Sequence, residues 1–169
     1  LVTGFLTDYL PLQRGYSQNT ILSYRDALKL FVLFLTDTKG MKLSRFTMAG
    51  FDRKLIVEFL DWCRDRKSAV STVNQRLAAL KTFAAYAQIE CIDYVAPLQN
   101  IMAVHAHKTT GKEISFLTVD QISKLINKPD INTPIGLRHR TAITLLYDSG
   151  CRVQELCDLR LRDIYTGSN

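Results

Sequence analysis

Between Asp65 and Glu90 the chain carries no acidic side chain, although Arg66, Lys67, Arg76 and Lys81 fall in the same stretch. An ordinary solvent-facing helix mixes Glu with Lys, so this gap excludes the usual mixed-charge surface there. Other absences narrow the class further. Four cysteines, Cys63, Cys91, Cys151 and Cys157, include no CxxC pair, which excludes the usual structural zinc spacings. They read as free thiols of a cytoplasmic protein, packing as small hydrophobes. No apolar run approaches the roughly 20 residues that a membrane-spanning helix needs. Leu1–Leu12 lacks the basic start of a secretory signal. Position 1 is Leu rather than Met, and the expectation is that a longer protein surrounds this stretch. Neither internal repeats nor low-complexity segments occur.

What is present is a normal globular composition. The 169 residues are 47% apolar and 22% charged, enough for one ordinary domain or two small ones. Lys and Arg number 22 against 16 Asp and Glu, giving a net charge of +6 and a pI near 9.2. That balance favours a polyanionic partner.

Apolar spacing predicts an all-helical first part. Leu1–Leu12 forms a short amphipathic helix, broken by QRGYSQNT. Ser17 caps a long helix reaching about Asp37, with Ile21, Tyr24, Leu28, Phe31, Val32 and Leu35 at helical intervals. A third helix spans about Asp52 to Arg66. A fourth begins near Ser71, taken as its cap, and buries Val73, Leu77, Leu80, Ala84 and Ala87. A short fifth follows Pro97, a favoured first helical residue.

The composition then changes. HAHKTTGKEIS is polar, basic and contains Gly, so residues 106–115 are expected to form a linker between a domain at 1–105 and another opening at 116–169. In the second part Thr118 and Gln121 have capping-box spacing. INTPIGLRH reads as a loop, Arg138–Tyr147 as an apolar helix and Cys151–Leu159 as another. RLRDIY alternates like the start of a strand.

Asp148-Ser149-Gly150 interrupts the apolar helix, and Gly150 suits a positive φ. Arg152 follows two residues later with leucines on both sides. LLYDSGCRVQELCDLRLRDI resembles the first catalytic box of the tyrosine recombinases, or phage integrases, through Gly150, Arg152, Glu155, Leu156, Leu159, Asp163 and Ile164. NTILSYRDALKLFVLFL and STVNQRLAALKTFAAYA look like the second and fourth helices of that family's N-terminal SAM-like, core-binding domain. FLTVDQISKLI looks like the opening of its catalytic domain. The resemblance implies a mainly α chain: a four-to-five-helix SAM-like bundle, a linker and the helical start of the catalytic domain.

It also implies a function. The family cuts and rejoins DNA through a 3′-phosphotyrosine intermediate. Negative charge grows on the non-bridging phosphate oxygens, and a planar, always-charged guanidinium can contact two of them. Arg152 is the catalytic candidate, with Glu155 one turn on as its support. A plain surface salt bridge is the alternative for Arg152. The family's lysine, His-x-x-Arg box and tyrosine nucleophile are expected beyond Asn169, so this stretch is expected to be inactive alone. His139 and Arg140 lie upstream of the arginine box and do not fit His-x-x-Arg. His105 and His107 read as solvated, and Tyr147 and Tyr165 receive no nucleophilic role.

Duplex DNA is the expected partner, with self-association on DNA in the intact protein; no metal and no cofactor are expected. On the fourth helix the side opposite the apolar stripe carries Ser71, Gln75, Ala78, Ala79 and Thr82, with Arg76 and Lys81 at its margins. Small neutral side chains let a helix approach a groove, and Gln can reach a base edge. The expected DNA contacts are Asn19, Thr20 and Ser23 of the second helix, Ser71, Thr72, Gln75, Arg76 and Lys81 of the fourth, and Lys108 and Lys112 of the linker. A face packed on the second domain is the alternative for that surface. For the chain as a whole the alternatives are a non-catalytic DNA-binding module at recombination sites, or a helical protein-interaction domain.

Overall fold

The structure is a computed structural model that describes residues 1–109, 111 and 115–164. The chain divides into two compact units, Leu1–Gly111 and Lys112–Asn169. The first is a helical bundle. Its helix α1 comprises Val2–Gly4 and a wider continuation, Phe5–Gln13. Pro11 explains the widening. It has no N–H to donate and its ring crowds the carbonyl one turn back, and nearby the Arg14 N–H bonds the Tyr9 carbonyl, five residues earlier, at 3.0 Å.

Helix α2, Gln18–Leu33, starts at the expected cap: the Ser17 hydroxyl accepts from the Thr20 N–H at 3.4 Å. It runs on through a wide turn, Phe34–Thr38. Helix α3, Arg53–Asp65, is capped by Asp52, whose carboxylate takes the Leu55 N–H at 2.8 Å. Helix α4 is Val70–Glu90 and helix α5 Val95–Met102. Aromatic rings fill the space between them. Phe31 meets Phe59 edge-on at 5.2 Å, Phe34 meets Phe59 at 5.6 Å, and Trp62 stacks on Phe59 at 6.0 Å.

Helix α4 begins earlier than its sequence signal. Ala69 holds the capping position without a side-chain bond, and Ser71 lies inside the first turn. The turn out of α3 sets this. The Ser68 N–H bonds the Cys63 carbonyl at 3.2 Å and the Lys67 N–H bonds the Arg64 carbonyl at 2.8 Å, with Lys67 at φ 58°. This is a Schellman closure with lysine where glycine is usual. Its tight geometry places the α4 capping position at Ala69, two residues before Ser71. Pro97 sits third in α5 rather than first, still inside the turn whose N–H groups have no helical partner.

The predicted stripe of α4 is buried as expected: Val73, Leu77, Leu80, Ala84 and Ala87. Burial continues through Phe83, Ala79 and Tyr86, so at about 100° per residue roughly half the circumference is covered. Ala79, expected on the open side, is fully buried. Helix α4 packs against α2, α3 and α5 at once, and a core that wide takes in the methyl group at 79.

The second unit contains helices α6, Val119–Asn127, α7, Pro134–Ser149, and α8, Val153–Asp158. Thr118 and Gln121 form the expected capping box, with bonds of 3.3 and 2.9 Å. Helix α7 starts four residues before the expected Arg138. Thr133 caps it by accepting from the Gly136 N–H at 3.0 Å, and Pro134 fits the first turn. Part of the expected loop is therefore helix. Leu161–Asp163 forms a single 3-10 turn instead of a strand. No strand occurs among the described residues, since an alternating segment needs a partner strand to bond with; Tyr165 lies outside them. None of the second unit's described hydrophobic side chains is buried.

The Lys67 conformation gives a direct test of the α3–α4 turn. Left-handed backbone disfavours every side chain but not glycine. Lys67→Gly is expected to stabilise the first unit by about 0.5–1 kcal/mol, read as a rise in the urea midpoint followed by Trp62 fluorescence. A lower midpoint would show that the lysine side chain itself supports the turn.

Candidate nucleic-acid interface and arginine turn

The structure brings the expected positions of α2 and α4 together. The Gln75 carboxamide nitrogen donates to the Ser23 hydroxyl, linking the two helices across a shallow groove lined by Ser23, Asp26, Ala27, Leu30, Thr72, Gln75 and Arg76. Ser71 and Gln75 are exposed, and Thr72 and Ser23 half-buried. Asn19 is exposed on the first turn of α2. The Thr20 hydroxyl is 3.0 Å from that of Ser17. One acid, Asp26, enters the groove, and Arg25 pairs with it at 3.1 Å.

The two basic residues at the margins are part of the fold. Arg76 is half-buried and donates to the Ser68 hydroxyl at 2.9 Å, holding the α3–α4 turn. Lys81 is half-buried and donates to the Met102 carbonyl at 2.8 Å, at the end of α5. Each keeps further N–H donors. Cys63 lies beneath the turn; burial pushes its thiol up, with Arg76 acting against that.

One residue that sequence reasoning passed over belongs to the same surface. The Asn74 carboxamide donates to the His107 carbonyl at 2.8 Å and accepts from the His107 N–H at 2.9 Å. The signal was available: Asn74 and Lys81 are seven residues apart on one flank of α4, and both reach for a passing backbone. His105, His107 and Lys108 are exposed. Lys112 lies outside the described residues. The open strip of α4, with Ser71, Gln75 and Ala78, thus runs between α2 on one side and the segment following α5 on the other.

In the second unit, the Asp-Ser-Gly turn takes the expected form. Gly150 adopts φ 64° and its N–H bonds the Leu146 carbonyl at 3.1 Å, closing α7 in a left-handed cap. The chain then reverses into α8 with Arg152 at its N-cap. The Glu155 carboxylate accepts from the Arg152 backbone N–H at 2.7 Å and from its guanidinium at 2.9 Å. One carboxylate therefore caps α8 and orients the arginine. The Arg152 side chain is 85% exposed, so most of its donors face outward. His139 and Arg140 sit on α7. No group of three His, Cys, Asp or Glu that could hold a metal occurs among the described residues, and no described helix is long and apolar enough to cross a membrane.

Comparison with known proteins gives two family matches. Residues 3–90 match the phage integrase N-terminal SAM-like domain, and residues 115–169 match the phage integrase family. The chain is 30% identical over 169 residues to a tyrosine recombinase of Thermosipho africanus, covering 96% of this chain and 54% of that protein. It is 28% identical over 165 residues to tyrosine recombinase XerD of Listeria monocytogenes, covering 98% and 53%. To tyrosine recombinase XerC of Bacillus subtilis it is 28% identical over 157 residues, covering 93% and 49%. The chain spans about half the length of the curated relatives it matches.

The backbone N–H of Arg152 and then its guanidinium hold the Glu155 carboxyl below the usual glutamate range. The folded state therefore favours the carboxylate. The contribution of the pair is present above the ordinary glutamate value and is lost as pH falls through the lowered one. In a carboxyl-carbon NMR titration, Glu155 is expected to titrate at lower pH in the wild type than in Arg152→Ala, which removes the guanidinium bond and keeps the backbone one. A wild-type midpoint in the ordinary range would show that the pair is absent in solution.

Proposed function

Because the chain belongs to the phage integrase, or tyrosine recombinase, family, we propose that the whole protein cuts and rejoins duplex DNA at a specific site, with this chain supplying the DNA-binding half and the first activating arginine. Residues 1–105 act as the core-binding domain, 106–115 as the linker and 116–169 as the opening of the catalytic domain. The observation that carries this reading is the exposed, acid-free strip of α4 joined to α2 by the Gln75–Ser23 bond. Small side chains allow close approach to a groove, Gln75 supplies a carboxamide for a base edge, and Asn19 and Ser71 offer short polar groups for phosphates. Thr20, Thr72, Arg76 and Lys81 complete the surface, the last two with donors remaining beyond Ser68 and Met102. Lys108 and Lys112 extend the positive charge.

Arg152 acts on the scissile phosphate. As a tyrosine oxygen bonds phosphorus and the bond to the 5′ oxygen breaks, charge grows on the non-bridging oxygens. Arg152 has five N–H donors; Glu155 engages the backbone and one face of the fork, leaving the outer face for those oxygens. The tyrosine is not supplied by these residues, so strand exchange requires the remainder of the protein and, on DNA, further copies of it.

Binding of the chain to duplex DNA is expected to fall by about 0.9 log units per tenfold rise in salt for each phosphate neutralised. On a site obtained by selection from random duplexes, Gln75→Ala is expected to weaken binding by about 1–3 kcal/mol while barely changing a scrambled duplex. Fluorescence anisotropy on both duplexes, with thermal unfolding alongside, checks this. A lower melting temperature with unchanged binding would make the strip a packing face.

In the whole protein, Arg152→Ala is expected to slow cleavage of a suicide substrate on the order of 10²–10³-fold and to leave DNA affinity nearly unchanged. Equal loss of both would give Arg152 a structural role instead. Residues 1–169 alone are expected to form no covalent adduct on the same substrate.

A further inference from the structure

The segment that leaves α5 does not hang free at the point where the sequence turns polar. Val104 is buried, the Met102 carbonyl receives the Lys81 ammonium, and His107 gives both its N–H and its C=O to Asn74. The last of these is the informative one. A side-chain carboxamide that donates to and accepts from a single residue copies the bonding of a paired antiparallel strand. Two parallel bonds fix direction as well as position, where a lone bond would allow the segment to swivel. Asn74 lies one helical turn from Ser71 and Ala78, next to Gln75. The residue after His107 is Lys108, exposed and cationic.

We propose that Asn74 is a positioning residue for the linker, clamping the His107 backbone along α4 so that Lys108 departs beside the strip that meets DNA. This goes beyond the DNA-binding reading and rests on it. The physical reason is preorganisation. A cation on a flexible tether must lose backbone and side-chain freedom when it settles on a phosphate, and that loss subtracts from its attraction. A cation whose neighbouring residue is already held loses less.

The test uses Asn74→Ala, Lys108→Ala and the double substitution in the complete chain. Ala is a good helix former, and Asn74 is only half-buried, so α4 is expected to survive. Two readouts are needed. Amide hydrogen exchange at His107 reports the clamp, and affinity for a plain duplex across a salt series reports the cation. Asn74→Ala is expected to speed His107 exchange by about tenfold or more while exchange inside α3 is unchanged. Lys108→Ala is expected to lower the salt slope by about 1 and the affinity several-fold. Asn74→Ala should lower affinity to a similar extent, and the double substitution should be no weaker than Lys108→Ala alone, because the two act through one contact.

Additive losses would overturn the proposal, since Asn74 would then act independently of the cation. So would unchanged exchange at His107. A wild-type chain that shows no salt-dependent affinity would remove the DNA reading and this proposal together. Faster His107 exchange in Asn74→Ala would then leave the clamp as a feature of folding alone.

Discussion

Helix α4 has neighbours on so much of its surface that only a narrow strip of it remains open, and the shape of the first unit follows from that. Val73, Leu80 and Ala84 are fully buried on one side, and Ala79 and Phe83 extend the burial toward another. Helices α2, α3 and α5 each lie against it. Polar contacts then close both margins of what is left. Gln75 reaches Ser23 across one edge, and across the other Lys81 reaches the backbone at the end of α5 and Asn74 the backbone that follows it. The strip with Ser71, Gln75 and Ala78 is what stays exposed between those margins, and it carries no acid.

The second unit is built on a different constraint. Its described helices enclose no buried hydrophobic side chain, so local bonds carry its geometry. Gly150 supplies the left-handed residue that lets α7 stop and α8 begin with only three residues between them. Glu155 then does two jobs with one carboxylate, capping α8 and aligning Arg152. A residue that could bond only the backbone would cap the helix and leave the arginine to wander. A residue that could bond only the guanidinium would leave the helix frayed.

Much of this was legible in the sequence, for reasons that differ by element. Ser17 and the Thr118–Gln121 pair act within a few residues of themselves, so their spacing predicts their bonds. The Gly150 turn and the arginine after it are local for the same reason. The stripe on α4 was readable because burial repeats with the helical period. The misplaced boundaries share a cause as well. Thr133 started α7 early because a short-range cap outweighed a loop-like composition, and α4 started at Val70 because the Schellman closure at Lys67 left no room for a longer turn.

What the sequence alone determined is therefore the set of helices, the caps at Ser17 and Thr118, the buried stripe and the arginine turn, all of which depend on residues within one or two turns of each other. The tertiary structure decided the partners. Asn74 and His107 are 33 positions apart and Gln75 and Ser23 are 52 apart, and no periodicity in either segment announces the other. Ala79 looks like any small residue on an open face until α4 is packed on several sides. Arg76 and Lys81 read as surface cations until Ser68 and the Met102 carbonyl arrive beside them. Such pairings are fixed by how the helices pack, and packing is a property of the whole core rather than of any stretch of the chain.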